Sequence, residues 1–213
     1  MVELAFRVER AAVVEHAASP TLALAVALTT SGEPIDSVLL RSSVRLQASR
    51  RQHDAAERER LRELFGGDEL WSRSPKSLLW TQATSFVPAF TGTATTDVLL
   101  PCSYDLAASA FRYLHGLRGG DVPVTVQFSG TVFHRRNGVL EVAPIAWDRE
   151  ASFSLPLALF TAVVDAHFPG SAVVGLRRDV FERLDGHRRR LGVRTLEETL
   201  ERLLAVAEEE RVA

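Results

Sequence analysis

Apolar and polar positions alternate with a period of two along several stretches of the chain. Thr21–Thr29 sets Leu22, Leu24, Val26 and Leu28 on one side and Ala23, Ala25 and Ala27 on the other, which is the pattern of a strand. Its all-alanine side predicts an element packed closely against it. Val122–Phe133 is the clearest case. Val124, Val126, Phe128, Gly130 and Val132 face one way and Thr125, Gln127, Ser129 and Thr131 the other, as in an antiparallel sheet with one buried and one solvated face. Asn137-Gly138 follows as a hairpin turn, and Val139–Trp147 returns as the partner strand. Gly130 in mid-strand marks a bulge or the close approach of another element. Phe6–Glu15, Ile35–Ser49, Leu78–Val87 and Thr93–Leu100 read as further strands, with turns at Ser31–Pro34 and Pro88–Gly92.

Elsewhere the period lengthens to that of a helix. Ala56, Leu61, Leu64 and Phe65 form one stripe within His53–Phe65, which Gly66-Gly67 ends; Trp71–Lys76 is a polar connection. Pro101–Asp105 opens a second helix, with Ser103 as N-cap, Asp105 at the positive end of the dipole, and Leu106, Ala110, Tyr113, Leu114 and Leu117 as its apolar face. After Ser152 the chain is predicted helical, Ser154 capping and Pro156 lying in the first turn, with Leu157, Phe160, Val164 and Phe168 as the stripe. Arg177–Leu191 is the next helix, with Gly192 as its stop. Thr195-Leu196-Glu197-Glu198 is a capping box that starts the last.

Strands in adjacent runs predict an α+β class: a largely antiparallel sheet of about six to seven strands with interspersed helices and a helical C-terminal segment. No linker interrupts the chain, so a single domain over 1–213 is expected, with 1–154 mostly strand plus two helices and 155–213 helical. A chain of 213 residues buries roughly 70% of its extended surface, enough for a core without staples. The net charge of −2 exerts no global pull on nucleic acid or anionic membrane. Lys76 is the one lysine among 25 basic residues, but the arginines spread over the whole chain and mark no anion site. The single cysteine excludes an intrachain disulfide framework and a Cys-rich metal or cluster site. The N-terminus lacks the basic-then-apolar order of a signal peptide. The apolar runs Leu22–Leu28 and Leu155–Val164 fall short of the ~20 residues of a membrane span. A cytoplasmic location is the expectation.

No P-loop, His-Glu-x-x-His or Gly-x-Ser-x-Gly motif occurs, so no catalytic, cofactor-binding or metal-ligating residue is assigned. Asp165 and His167 diverge on a helix, and Asp148 and Glu150 read as a solvated strand end. Cys102, just before a helix, is either a reactive thiol or a small core residue; the adjacent Asp105 opposes a thiolate. Trp80, Cys102, Tyr104 and Trp147 form a candidate pocket or interface, because aromatic side chains serve both. Arg177–Arg194 carries seven arginines against three acids, and Glu197–Glu210 six glutamates against Arg202. Two antiparallel helices of complementary charge account for this; a basic face for nucleic acid through Arg188, Arg189 and Arg190 is the weaker reading.

The residues Leu78-Leu79-Trp80, Pro88-x-Phe90-x-Gly92, Pro101-Cys102-x-Tyr104-Asp105, Phe128-Ser129-Gly130-x-Val132-Phe133 and Phe168-Pro169 resemble, in that order, an uncharacterised actinobacterial domain family over nearly the whole chain. The resemblance implies a context near [NiFe]-hydrogenase structural and maturation genes, and it carries over no catalytic residue. The expectation is a non-enzymatic accessory protein that binds another protein, with a hydrogenase subunit or maturation factor implied by the resemblance. A homo-oligomer stays open, and no nucleic acid, membrane span or cofactor is expected. The alternative is an enzyme or small-molecule binder with a pocket near Trp80, Cys102, Tyr104 and Trp147.

Overall fold

The computed structural model describes residues 3–32, 34–71, 77–104 and 108–212. In chain order the elements are β1 (Leu4–Val13), β2 (Thr21–Thr30), β3 (Ile35–Gln47), α1 (Ala55–Arg60), α2 (Arg62–Phe65), α3 (Asp68–Trp71), β4 (Ser77–Val87) and β5 (Thr93–Pro101). Then come α4 (Ala108–Gly116), β6 (Asp121–Arg136), β7 (Val139–Pro144), β8 (Glu150–Pro156), α5 (Leu157–His167), α6 (Arg178–Leu191) and α7 (Leu196–Val212). The class is α+β and every strand pairing is antiparallel. The strands divide into two sheets, one ordered β1-β2-β5 and the other β4-β3-β6-β7 with β8 also on β6.

The apolar sides of both sheets meet in one core. Leu22, Leu24, Val26 and Leu28 of β2 share it with Val38, Leu40, Val44 and Leu46 of β3 and with Val122, Val124, Val126 and Phe128 of β6. Phe6 of β1 stacks on Phe128 at 4.3 Å between ring centroids. The alternation in β2 and β6 therefore assigns the inward faces as expected, but the opposite side of β6 is not solvated throughout, since Thr125 there is buried. The small face of β2 is also covered: Ala25 and Ala27 are buried, and α5 packs on β1 and β2, where methyl groups let a helix approach.

The Asn137-Gly138 turn joins β6 to β7, with both residues at positive φ, 52° and 82°, the conformation a two-residue hairpin turn of this kind demands. Gly130 is the close approach its position predicted. Its φ is +134°, and a Cβ there would lie 2.1 Å from the Leu39 carbonyl oxygen of β3.

Several expectations are corrected. The chain after Ser152 is not yet helical: Glu150–Pro156 is strand β8, paired with Asp121–Gln127 of β6. Ser154 does not cap a helix but donates its hydroxyl to the Asp121 carboxylate at 3.0 Å. The reason is the length of β6, which leaves half of one edge open until β8 fills it; Ala151 and Leu155 then turn into the core. The strand predicted to reach Trp147 stops at Pro144, because the chain turns away from β6 after one further bond from the Ile145 amide to Gly130 O. The helix expected over His53–Phe65 is also shorter at its start and divided at Leu61, and the Asp54 carboxylate caps α1 by accepting the Glu57 amide at 2.8 Å. The helix expected to open at Pro101–Asp105 is corrected as well: β5 runs to Pro101, Cys102–Tyr104 are not helical, and the buried Ser103 hydroxyl caps nothing among the described residues. Asp105, Leu106 and the connection over 72–76 lie outside the described residues.

Contacts gather into two compact units, Met1–Ser171 and Ala172–Ala213. Helix α5 belongs to the first. The second holds α6 and α7, joined through Gly192 in the left-handed conformation and the capping box, in which Thr195 Oγ1 accepts the Glu198 amide at 3.1 Å.

Candidate functional site

β7 and β8 lie end to end along the same edge of β6, opposite β3. Between them the chain bulges outward. The Ile145 amide donates to Gly130 O at 3.0 Å and the Phe128 amide to Arg149 O at 2.8 Å, so Ala146, Trp147 and Asp148 arch over the intervening part of β6. Trp147 sits on this arch with 93% of its surface exposed. Arg149 braces it, bonding Glu3 at 2.8 Å and reaching Asp148 at 3.8 Å. A cleft of about 350 Å³ opens beside the arch, lined by Leu4, Val132, Pro144 and Ile145 with Glu3 and Arg149 at its polar rim. β7 itself is an edge strand with no partner on its outer side among the described residues, and it exposes Val139, Leu140 and Val142.

The four residues singled out as a pocket or interface separate into two kinds. Trp80 is buried and its indole N–H donates to Pro101 O at 2.7 Å. Cys102 is buried beside it in the chain, its amide donating to Pro20 O. Tyr104 is half-buried, edge-on to Phe111 at 5.8 Å. These three are core and core margin, whereas Trp147 stands in solvent. Burial pushes the Cys102 thiol up to about 12, so it carries no thiolate near neutrality and is a poor nucleophile. Alkylation of Cys102 in the folded protein is therefore expected to be many times slower than in denaturant; equal rates in the two states would restore the reactive reading.

A more organised polar cluster escaped the sequence. His53 Nε2 and the Tyr113 hydroxyl lie 3.0 Å apart, surrounded edge-on by Trp71 and Phe65. Arg51 grips the buried Glu57 carboxylate with two N–H bonds of 3.0 and 3.1 Å, and the Arg118 amide donates to the same carboxylate at 2.9 Å. Burial first, then the Arg51 charge, lowers the His53 pKa, and burial raises the Tyr113 phenol to about 12. Both rings are neutral at pH 7, which suits a packed hydrogen bond better than proton transfer. A cleft of about 490 Å³ is lined by His53 itself together with Arg58, Glu59 and Arg62. No sequence motif announces this cluster, because its members meet only through the tertiary fold, His53 and Tyr113 from positions 60 residues apart.

A family model matches residues 1–212. The chain belongs to DUF6084, a family of unknown function. The expected kinship with an uncharacterised domain family is thus shown. Among curated proteins none matches. Solved structures similar to this DUF6084 chain include a beta-glucosidase from Kluyveromyces marxianus, at 11% identity and a TM-score of 0.28, covering 73% of this chain and 15% of that one. Beta-glucosidase 3B from Thermotoga neapolitana is similar at 13% identity and 0.28, covering 72% and 17%. The putative ApaA protein from Bordetella pertussis is similar at 16% and 0.26, covering 72% and 93%. The chain thus spans about a sixth of either glucosidase, and likeness at this level carries no argument about activity.

His167 and Arg188 of this DUF6084 chain have structural partners. His167 faces the carbonyls of Val163 and Ala17 at 2.9 and 3.1 Å rather than Asp165. Arg188 bonds Asp185 and the carbonyls of Val193 and Arg194 that close the α6–α7 turn, so it braces a helix end. Among the described residues no group of three or more His, Cys, Asp or Glu is placed to hold a metal ion, and no helix is long and apolar enough to cross a membrane.

Proposed function

We propose that this chain is a non-enzymatic accessory protein that docks another protein along the β7 edge and over Trp147. The observation that carries this reading is an indole 93% exposed on an arch whose two ends are hydrogen-bonded to β6 and which Arg149 ties to Glu3. Trp is among the residues that dominate binding energy at interfaces, and a large aromatic ring left in water on a braced backbone loses little conformational freedom when covered. The adjoining edge offers unpaired backbone N–H and C=O groups to an added strand, with Val139, Leu140 and Val142 giving it apolar contacts. A hydrogenase subunit or maturation factor, the partner class implied by the family resemblance, is the first to test, in an actinobacterial cytoplasm. The neutral His53–Tyr113 pair and the protonated Cys102 give the enzyme alternative no activated group.

The test is affinity purification from the native host with wild-type and Trp147→Ala baits. Wild type is expected to recover hydrogenase components. Trp147→Ala is expected to lower affinity for the recovered partner by about 2 kcal/mol, some 30-fold, while its unfolding free energy stays within about 0.5 kcal/mol of wild type. Equal recovery by both baits would remove Trp147 from the binding surface, and absence of hydrogenase components would remove that partner class.

A further inference from the structure

We infer that the α6–α7 hairpin docks on the same hairpin of a second copy of this chain, making an antiparallel four-helix bundle. This surface is separate from β7 and Trp147, and the inference does not rest on the function proposed above.

The hairpin is well made at its turn and unfinished along its length. Gly192, the Arg188 bonds and the Thr195 cap fix the reversal. Yet no residue of α6 is buried, and every residue from Leu200 to Arg211 of α7 is exposed. Phe181, Leu191, Leu200, Leu203, Leu204 and Val206 are among the exposed side chains, Leu204 at 62%. Between the helices runs a groove of about 430 Å³, lined by Val180, Leu184, Gly186, His187 and Leu203. The unit Ala172–Ala213 is near the ~40-residue size below which oligomerisation, a metal or disulfides are usually needed. With one cysteine in the chain and no metal cluster among the described residues, association is the remedy that fits.

Spacing and charge say what covers the face. Leu196, Leu200, Leu203 and Ala207 recur at intervals of four, three and four, the seam of helices packed side by side in a bundle. The net charges of α6 and α7 are opposite, but no ion pair among the described residues of this unit joins α6 to α7. Those within one helix include Arg178–Glu182, Arg189–Asp185 and Arg202–Glu198. Arg183 and Arg190 of α6 and Glu201 and Glu208 of α7 have no ion-pair partner there. A surface that carries a basic helix beside an acidic one is complementary to itself after a two-fold rotation, which is what an isologous interface requires. Each α6 then lies beside the α7 of both copies, and like-charged helices fall on the diagonal. Helices of 14 and 17 residues extend about 21 and 25 Å, long enough for the ~800 Å² per partner of a standard interface.

Sedimentation of the full chain tests this. At about 100 μM, where a micromolar dimer is nearly complete, the wild type and Trp147→Ala are both expected to sediment as dimers. Leu200→Glu/Leu204→Glu is expected to raise the dissociation constant at least 100-fold with the circular dichroism of the sheets unchanged, since both side chains are exposed in the single chain. Arg183→Glu/Arg190→Glu and Glu201→Arg/Glu208→Arg should each dimerise poorly alone and recover a heterodimer when mixed, a result peculiar to α6 meeting α7 across the interface. A monomeric wild type, a dimer that survives Leu200→Glu/Leu204→Glu, or failure of the charge-reversed chains to pair would overturn the inference. Loss of partner binding in Trp147→Ala with the dimer intact would leave it standing.

Discussion

Glu57→Gln is expected to lower the unfolding free energy by about 3–5 kcal/mol, the range for removing one partner of a buried ion pair. The carboxylate is buried in α1 and accepts from both Arg51 terminal nitrogens and from the Arg118 amide. Arg51 in turn donates to the carbonyls of Gly119 and Asp121, so the pair fastens α1 to the chain between α4 and β6. A neutral amide leaves the guanidinium charge uncompensated, and its NH₂ end faces donors instead of accepting from them. Burial pushes the Glu57 pKa up, but the Arg118 amide and Arg51 outweigh it and hold the group below its ordinary 4.5. A depressed carboxylate contributes stability that is present above the ordinary value and lost as pH falls through the folded-state value. Glu57→Gln should therefore also flatten the acid limb of the stability profile. Urea titrations at pH 7 and across the acid limb measure both effects; an unchanged midpoint at pH 7 would show that the pair is dispensable.

Phe128→Ala is expected to cost about 3–5 kcal/mol, against no more than about 0.5 kcal/mol for Gln127→Ala. The two residues are neighbours on β6 with opposite faces. Phe128 is 2% exposed and stacked on Phe6 of the other sheet, so truncation opens a cavity where the sheets meet. Gln127 is exposed and pairs in register with Ser43 and Glu150, a backbone role that alanine keeps. Equal urea midpoints for the two variants would mean that β6 presents its faces the other way round.

Much of the fold was legible because it is written in short-range patterns. The alternation in β2 and β6 states which face is buried, Asn137-Gly138 states the turn, and Thr195 with Glu198 states a helix start. β8 was not legible for a physical reason. Glu150–Pro156 does alternate, but it is short and runs straight into α5, and Ser154 imitates the cap of a helix that begins only after Pro156. Only the open half-edge of β6, formed by distant sequence, decides for strand. The proposed docking surface was half legible. Trp147 stands out by residue type, but nothing local says that it is exposed, since an indole is ordinarily core. Its exposure follows from the point at which the chain leaves β6 and returns to it. The Arg51–Glu57–Arg118 and His53–Tyr113 contacts join residues that no spacing rule connects.

Strand β6 also governs when the protein can fold during synthesis. It pairs with β3 on one edge and with β7 and β8 on the other, and even its shortest connection to β3, Leu46 to Val124, closes a long loop. A nascent chain that has emerged only as far as β5 holds a sheet without its central strand, with β3 still open along the edge β6 will occupy. Folding governed by such non-local pairing runs in milliseconds to seconds rather than microseconds. Until β6 arrives, the unpaired backbone groups along that edge of β3 are open to pairing with other chains, the exposure that makes partly folded species prone to aggregate.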